Sequence, residues 1–447
     1  MKPNNKNKLP KNFSPKTLEI THIGSKGEGT SKLYTEFDYI EKEYIFFIPF
    51  SLPSEKIIVQ PISKSSEGVR GNILEIINPS LDRTEPQCNH FFKCGGCILQ
   101  HWKFKSYTKW KINKLSFPIN LISPETEIKS IITSPLKSRR HAKFIAKKTK
   151  TELLIGFNEF KSDFISKIDD CIILDPKLTK LTQDLQEPLN KILQVGQKIH
   201  IHANLLDFGI DLLIEGFEKL PHQSLFLFNN SLLKKNIIRL SRLMKDKSID
   251  LLFVNEKTSL SISPYSSYIL PPSGSFLQAT KSGETTIINS VIHGLENVQK
   301  KIKICELFAG SGSITLPLLS KGYQVTAYEI NIDSIKAINL AAKEQGLSNK
   351  IDAFSRNLKN NPLTHIELNK FDVIIVDPPR SGAKLQFEKI ALSKVSIVIS
   401  ISCNINSFIS DAKILLQNNY KLKWVQPIDQ FLFTPHIELV GLFLLKN

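Results

Sequence analysis

Three apolar runs in this chain each end in residues able to do chemistry. The run 395–401 is followed by Ser402-Cys403-Asn404, and the run 373–376 ends in Asp377-Pro378-Pro379-Arg380. The run 302–308 leads into Gly310-Ser311-Gly312. A thiol can add to an electrophilic carbon, and a carboxylate beside a guanidinium can hold or accept a proton. Two close glycines let the backbone approach a nucleotide-like ligand at a helix N-terminus.

Such groups work together only if the fold collects them. From residue 270 onward the pattern alternates strand and helix, which predicts a parallel α/β sheet. In an open sheet of that kind, loops at the carboxyl ends of the strands lie together and bind ligands. Glu329 ends the next strand-like run, 323–328, where a carboxylate can hold ribose hydroxyls. A dinucleotide turn would need a third glycine at position 315, which is Thr315, so no pyrophosphate site is indicated. Cys305 reads as ordinary strand packing.

These observations fit a methyl-transfer site with a cysteine nucleophile. Uracil C5 becomes nucleophilic once a thiolate adds at C6, and a base must then remove the C5 proton so that sulfur can leave. Cys403 precedes a helical pattern from Ser407, a placement expected to lower its pKa. Glu438, in Thr434-Pro435-His436-Ile437-Glu438, is the expected base. Arg380 stands where amine methylases carry an aromatic, and the Asp377 loop lacks the cysteine that a cytosine methylase would place there. Uracil is therefore preferred.

Of 447 residues, 59 are Lys or Arg and 42 Asp or Glu, a net charge of +17 that favours a polyanionic partner. The length predicts two or three domains. Residues 1–17, with Lys2, Lys6, Lys8, Lys11 and Lys16, read as a disordered basic arm. Short strand-like runs with glycine turns over 18–80 predict a small β-barrel of the oligonucleotide-binding kind. Phe37, Tyr39, Tyr44 and Phe47 are its stacking candidates. A mixed α+β region follows over 81–264, with strand-like stretches at 151–157, 212–215 and 225–228. The domain 265–447 carries the reacting loops. Neither a signal peptide nor a membrane-length apolar run is seen, so a cytoplasmic protein is expected.

Cys88, Cys94 and Cys97 form C-x5-C-x2-C with Gly95 and Gly96 between the last two, and Cys171 stands far downstream. Four thiolates suit an iron–sulfur cluster or a structural zinc. A triple with one remote ligand leans towards a [4Fe–4S] centre. The spacing is wider than radical enzymes of S-adenosylmethionine favour, so a structural role is expected.

Together these motifs resemble the RNA (uracil-5-)-methyltransferase family, most closely its branch acting on 23S ribosomal RNA. The resemblance runs from about residue 18 to the C-terminus, including the segment Asp429-x-Phe431-Leu432-Phe433-Thr434-Pro435-His436-x-Glu438. It implies a Rossmann-like class I methyltransferase domain, an N-terminal TRAM barrel, S-adenosyl-L-methionine as cofactor and a [4Fe–4S] cluster on Cys88, Cys94, Cys97 and Cys171. It implies Cys403 as nucleophile and Glu438 as base. Gln278, Phe308, Gly310, Gly312, Glu329 and Asp377 fall on cofactor-contacting positions, and Asp377 also on a uracil-facing one. The basic run at Arg139, Arg140 and Lys143 matches a strand expected to hold RNA phosphates.

Ile405 replaces a family proline, which should loosen the nucleophile loop, and Ala279-Thr280 replaces Val-Asn beside Gln278. The branch acting on transfer RNA is expected to resemble only the catalytic half, lacking barrel and cluster. The chain is expected to act as a monomer without an obligate protein partner. Action on transfer RNA or another 23S uridine, and a non-catalytic RNA-binding or assembly role, are the competing readings.

Overall fold

The computed structural model describes residues 14–37, 40–217, 220–232, 235–296 and 302–446. Lys2, Lys6, Lys8 and Lys11 of the expected arm, and Tyr39, lie outside the described residues, as does the side chain of Phe37. The chain divides into two compact units. The first runs to Lys114 and takes in Phe433–Pro435, and the second comprises Leu115–Leu432 with His436–Asn447.

In the first unit a six-stranded sheet closes on itself. Strand Lys16–Glu19 pairs antiparallel with Lys56–Ser65, and two residues later His22–Ile23 pairs with Gly29–Phe37. One stretch of backbone thus supplies both edge strands of the sheet, and both are short, which limits pairing with another chain. Lys16 and Thr17, assigned to the arm from sequence, are strand residues held by Val59 and Ile58. Leu18, Phe46, Ile48, Ile57, Val59 and Val69 fill the interior. Tyr44 belongs to that core at 4% exposure, so it is no stacking platform, whereas Phe47 is half-buried.

The second unit holds two large sheets. Seven strands between His141 and Val254 form one, with an apolar face (Phe144, Ile155, Ile201, Leu212, Ile214) under helices Pro176–Asp184, Gln186–Ile192 and His222–Leu232. The stretch 225–228, expected as a strand, lies in the last of these helices. Leu225, Phe228 and Leu232 are its buried residues, a spacing that selects helix over the short apolar run.

The other sheet has nine strands. In the order Ile351–Ser355, Gln324–Glu329, Lys303–Leu307, Val373–Val376, Ile397–Ser402, neighbours pair parallel. Glu438–Leu445 then inserts antiparallel, followed by Tyr420–Asp429. Alternate residues feed two cores. Ile304, Val373, Ile375 and Ile399 face one with helix Lys281–Gly294, while Cys305, Leu307, Ile374 and Val398 face the other with helices Lys384–Ala391 and Ile405–Leu416. Burial on both faces is why these strands read as unbroken apolar runs, and Cys305, fully buried, is a packing residue.

Candidate active site

Sheet register brings the reacting groups together. Ser402 pairs with Leu439, so the next residue along, Cys403, stands across from Glu438, the first residue of its strand. Val376 lies between Leu307 and Ser400, which sets Asp377 beside Phe308 on one side and Ile401 on the other. Ile428 pairs with Glu438, placing Gln430 just past the end of the neighbouring strand.

The glycine turn divides its labour. Gly312 has φ of +88°, and a Cβ there would lie 2.5 Å from Leu316 Cδ2 and 2.9 Å from Ile338 Cγ1, so this glycine serves helix packing. Gly310, at φ +55°, would point a Cβ into open space. Its N–H donates to Glu329 Oε2 at 3.0 Å, while Glu329 Oε1 accepts from Asn331 N–H at 3.0 Å. Phe308 also adopts a left-handed φ of +64°, unusual for an aromatic and frequent at ligand sites. An unfilled glycine cradle beside an anchored carboxylate suits the adenosine portion of S-adenosylmethionine. Below it, buried Glu306 accepts from Thr315 Oγ1 at 2.5 Å. Burial, with Asp377 and Glu329 adding negative charge, pushes Glu306 up to about 8. Sequence reasoning passed over Glu306 because an acid inside an apolar strand carries no motif of its own.

The loop that carries Cys403 is pinned. Ser402 Oγ donates to Asn404 O at 3.1 Å and accepts Asn404 N–H at 3.2 Å, Ser407 Oγ donates to Asn404 O at 3.0 Å, and Asn404 Nδ2 donates to Arg380 O at 3.1 Å. The expected loosening at Ile405 is not found. Ile405 is buried at the first helical position, where Asn404 caps by accepting Asn406 N–H at 3.0 Å. Thr280 likewise caps helix Lys281–Gly294 through Gly283 N–H.

Electrostatics overturn one expectation. Burial first, then the charges of Glu438 and Asp377, push the Cys403 thiol up to about 11, against a smaller opposing pull from Arg380. Cys403 precedes the cap residue, outside the first turn where a helix dipole acts, so the dipole does not win. Burial also raises Asp377 to about 7 and, with Asp377's charge added, Glu438 to about 8. Three acids and a thiol therefore sit in a site that resists negative charge.

Gln278 is buried and its Oε1 accepts from Gln430 Nε2 at 2.8 Å, while the same nitrogen donates to Glu438 Oε2 at 2.9 Å. Arg140, expected to face RNA, is instead buried at 4% exposure. It donates to Glu284 Oε1 at 2.7 Å and to Gln278 O at 3.0 Å. It lies just before the strand His141–Lys148, where Glu284 and Gln278 take up its side chain. Lys143 is exposed and paired with Glu215 at 3.3 Å, and half-buried Arg139 donates to His141 O at 3.0 Å.

The cysteine-rich expectation fares differently. Cys88, Cys94 and Cys97 lie among turns of the first unit and Cys171 in the second, all part-exposed and none in a disulfide. Gly96 N–H points at Cys94 Sγ (3.4 Å) and Leu174 N–H at Cys171 Sγ (3.5 Å). Among the described residues no three Cys, His, Asp or Glu side chains converge so as to hold a metal ion. No described helix is long and apolar enough to cross a membrane.

A model of the tRNA (uracil-5-)-methyltransferase family matches residues 228–447. An uncharacterized RNA methyltransferase of Caulobacter vibrioides is 30% identical over 434 residues, covering 95% of this chain and 99% of its own length. The chain belongs to the RNA (uracil-5-)-methyltransferase family. A Mesorhizobium japonicum RNA methyltransferase is 31% identical over 95% of this methyltransferase and 96% of itself. The 23S rRNA (uracil(1939)-C(5))-methyltransferase RlmD of Shewanella sediminis is 28% identical, over 96% and 95%. A solved structure of the Pyrococcus abyssi tRNA (uracil-54, C5)-methyltransferase with S-adenosyl-L-homocysteine shares the fold (TM-score 0.73, 19% identity, 96% of this chain and 99% of that one). That coverage overturns the expectation that a transfer-RNA enzyme would match the catalytic half alone, so architecture does not discriminate between the two RNAs.

Proposed function

We propose that this methyltransferase methylates C5 of one uridine in 23S ribosomal RNA, with Cys403 as nucleophile and Glu438 as base. The observation that carries the chemistry is the strand register that sets Cys403 across from Glu438, with Asp377 at the adjoining strand end. S-adenosylmethionine, when bound, supplies the methyl group on a positively charged sulfur. Gly310, Glu329, Phe308, Asp377 and Gln278 are the residues proposed to hold it, with Gly312 shaping the turn that presents Gly310.

The steps then follow from the residues. Cys403 loses its proton to a neighbouring carboxylate and Sγ bonds to C6, leaving an enolate that makes C5 nucleophilic. After C5 is methylated, the ionised Glu438 takes the C5 proton, the Sγ–C6 bond breaks and the 5,6 double bond is restored. Because the target atoms lie within a base, the uridine must leave its stack to reach Cys403. Exposed Lys143, with Arg139, is proposed to hold RNA phosphates. Arg140 is not.

The choice of 23S RNA rests on the RlmD relative, which matches nearly end to end, and on the net charge of +17. The closed barrel, read as a TRAM module, is proposed to add RNA contacts. For the [4Fe–4S] cluster the support is the donor set alone, four thiols of the softness iron prefers. The reaction proposed here runs through no cluster. The functional test is transfer of labelled methyl to unmodified 23S rRNA and, in parallel, to transfer RNA, with the modified nucleotide mapped. Product only on transfer RNA overturns the substrate, and none on either overturns the activity.

A further inference from the structure

Gln430 occupies a place that no motif predicts. It is 2% exposed, and its Nε2 makes both of its bonds to site residues, at 2.8 Å to Gln278 Oε1 and 2.9 Å to Glu438 Oε2. Its Oε1 is buried with no hydrogen-bond partner among the described residues. A buried acceptor left unsatisfied costs stability, so the side chain is held in this pose by its surroundings. One part of them is Gly283, where a Cβ would come within 2.8 Å of Gln430 Oε1 and 2.9 Å of its Cβ. Any other residue at 283 would displace the carboxamide.

We infer that Gln430 is a positioning residue for the methyl-transfer site, one amide that orients both the base and the cofactor-side glutamine. The inference rests on the assignment of Glu438 as base. An ionised carboxylate only accepts hydrogen bonds, so the Gln430 atom facing Glu438 is the NH2 group. That same NH2 group then requires an oxygen from Gln278, which turns the Gln278 NH2 group the other way. Gln278 is thereby fixed as a donor, suited to a carbonyl or carboxylate oxygen of its ligand. Glu438 is fixed with Oε2 occupied, and Oε1 has no hydrogen-bond partner among the described residues. The lever arms are short and fully buried, so orientation is lost if the amide goes.

The electrostatic consequence has a definite sign. Donation from Gln430 opposes the burial that raises Glu438. Removing the donor raises the Glu438 pKa further, so less of the base is ionised at neutral pH. The test is the pH dependence of single-turnover methyl transfer and of covalent RNA adduct decay, compared among wild type, Gln430→Met, Gly283→Ala and Glu438→Gln. For Gln430→Met we expect the acidic limb to move up by about one pH unit, a roughly tenfold loss at pH 7 that recovers at alkaline pH. The adduct should persist at neutral pH. Gly283→Ala, which leaves Gln430 in place but displaces it, should shift the limb in the same direction by less. An unshifted limb in both variants, with folding confirmed by thermal melting, overturns the role of Gln430. Wild-type turnover by Glu438→Gln overturns instead the assignment of the base on which it rests.

Discussion

The strand ends of the catalytic sheet and the cysteine-rich turns of the first unit carry equally conspicuous sequence signals, yet the fold treats them differently. At the strand ends, ladder register alone places Cys403, Glu438 and Asp377 side by side. Burial then pushes all three well above their usual pKa values, and the Asp377 charge adds to the rise at Cys403 and Glu438. Around Cys88, Cys94 and Cys97 the backbone runs mostly through turns, the thiols are part-exposed, and among the described residues no three metal-binding side chains converge. A motif becomes a site when secondary structure dictates where its side chains go.

The contrast can be broken most severely at Cys403, the proposed nucleophile. Cys403→Ala should abolish methyl transfer altogether, since no other described group stands at that strand end to add to C6; residual turnover in a labelled-methyl assay would contradict this. Changing the cysteine-rich turns should act on a different quantity. If Cys94→Ser lowers thermal stability and iron content together while the remaining folded protein keeps its turnover, the two regions are independent. Iron and sulfide analysis of anaerobically purified protein sharpens this, with four irons per chain expected for a cluster.

Arg140→Ala should cost about 3–5 kcal/mol of stability, because it leaves Glu284 buried without its partner. Lys143→Ala should leave the melting temperature unchanged. It should weaken RNA binding a few-fold in a salt-titrated binding assay and lower the salt slope by about one. Equal melting effects for the two would contradict the burial assigned to Arg140.

The smallest expected effect concerns pH. Glu306, Glu438 and Asp377 have raised pKa values in the folded protein. The folded state therefore binds more protons than the unfolded chain between about pH 4 and pH 8. Their contribution to stability is full below the unfolded values and is lost as pH rises through about 7–8. Melting temperature without ligand should fall across that window, and Glu306→Gln should flatten the fall.

Much of the catalytic half was legible because period and apolar runs fix parallel strands, and strand ends fix loops. Cys403, Asp377 and the glycine turn were proposed on that ground, and Glu438 from the segment 434–438. What escaped was decided by long-range pairing. Arg140 meets Glu284 across 144 positions and Gln430 meets Gln278 across 152, and nothing local announces either contact. The basic run misled at Arg140 because the groups that bury it, Gln278 and Glu284, lie far along the sequence. The thiol pKa was misjudged because helix position is visible in sequence while burial and neighbouring carboxylates are not.

The central claim is that Cys403 bonds to the substrate base and Glu438 releases it. Its most direct test is incubation of Glu438→Gln with S-adenosylmethionine and unmodified 23S rRNA, followed by denaturing electrophoresis and mass spectrometry. The account predicts an RNA–protein adduct joined at Cys403 and already methylated at C5. Normal release of methylated RNA, or an adduct on another residue, would contradict it.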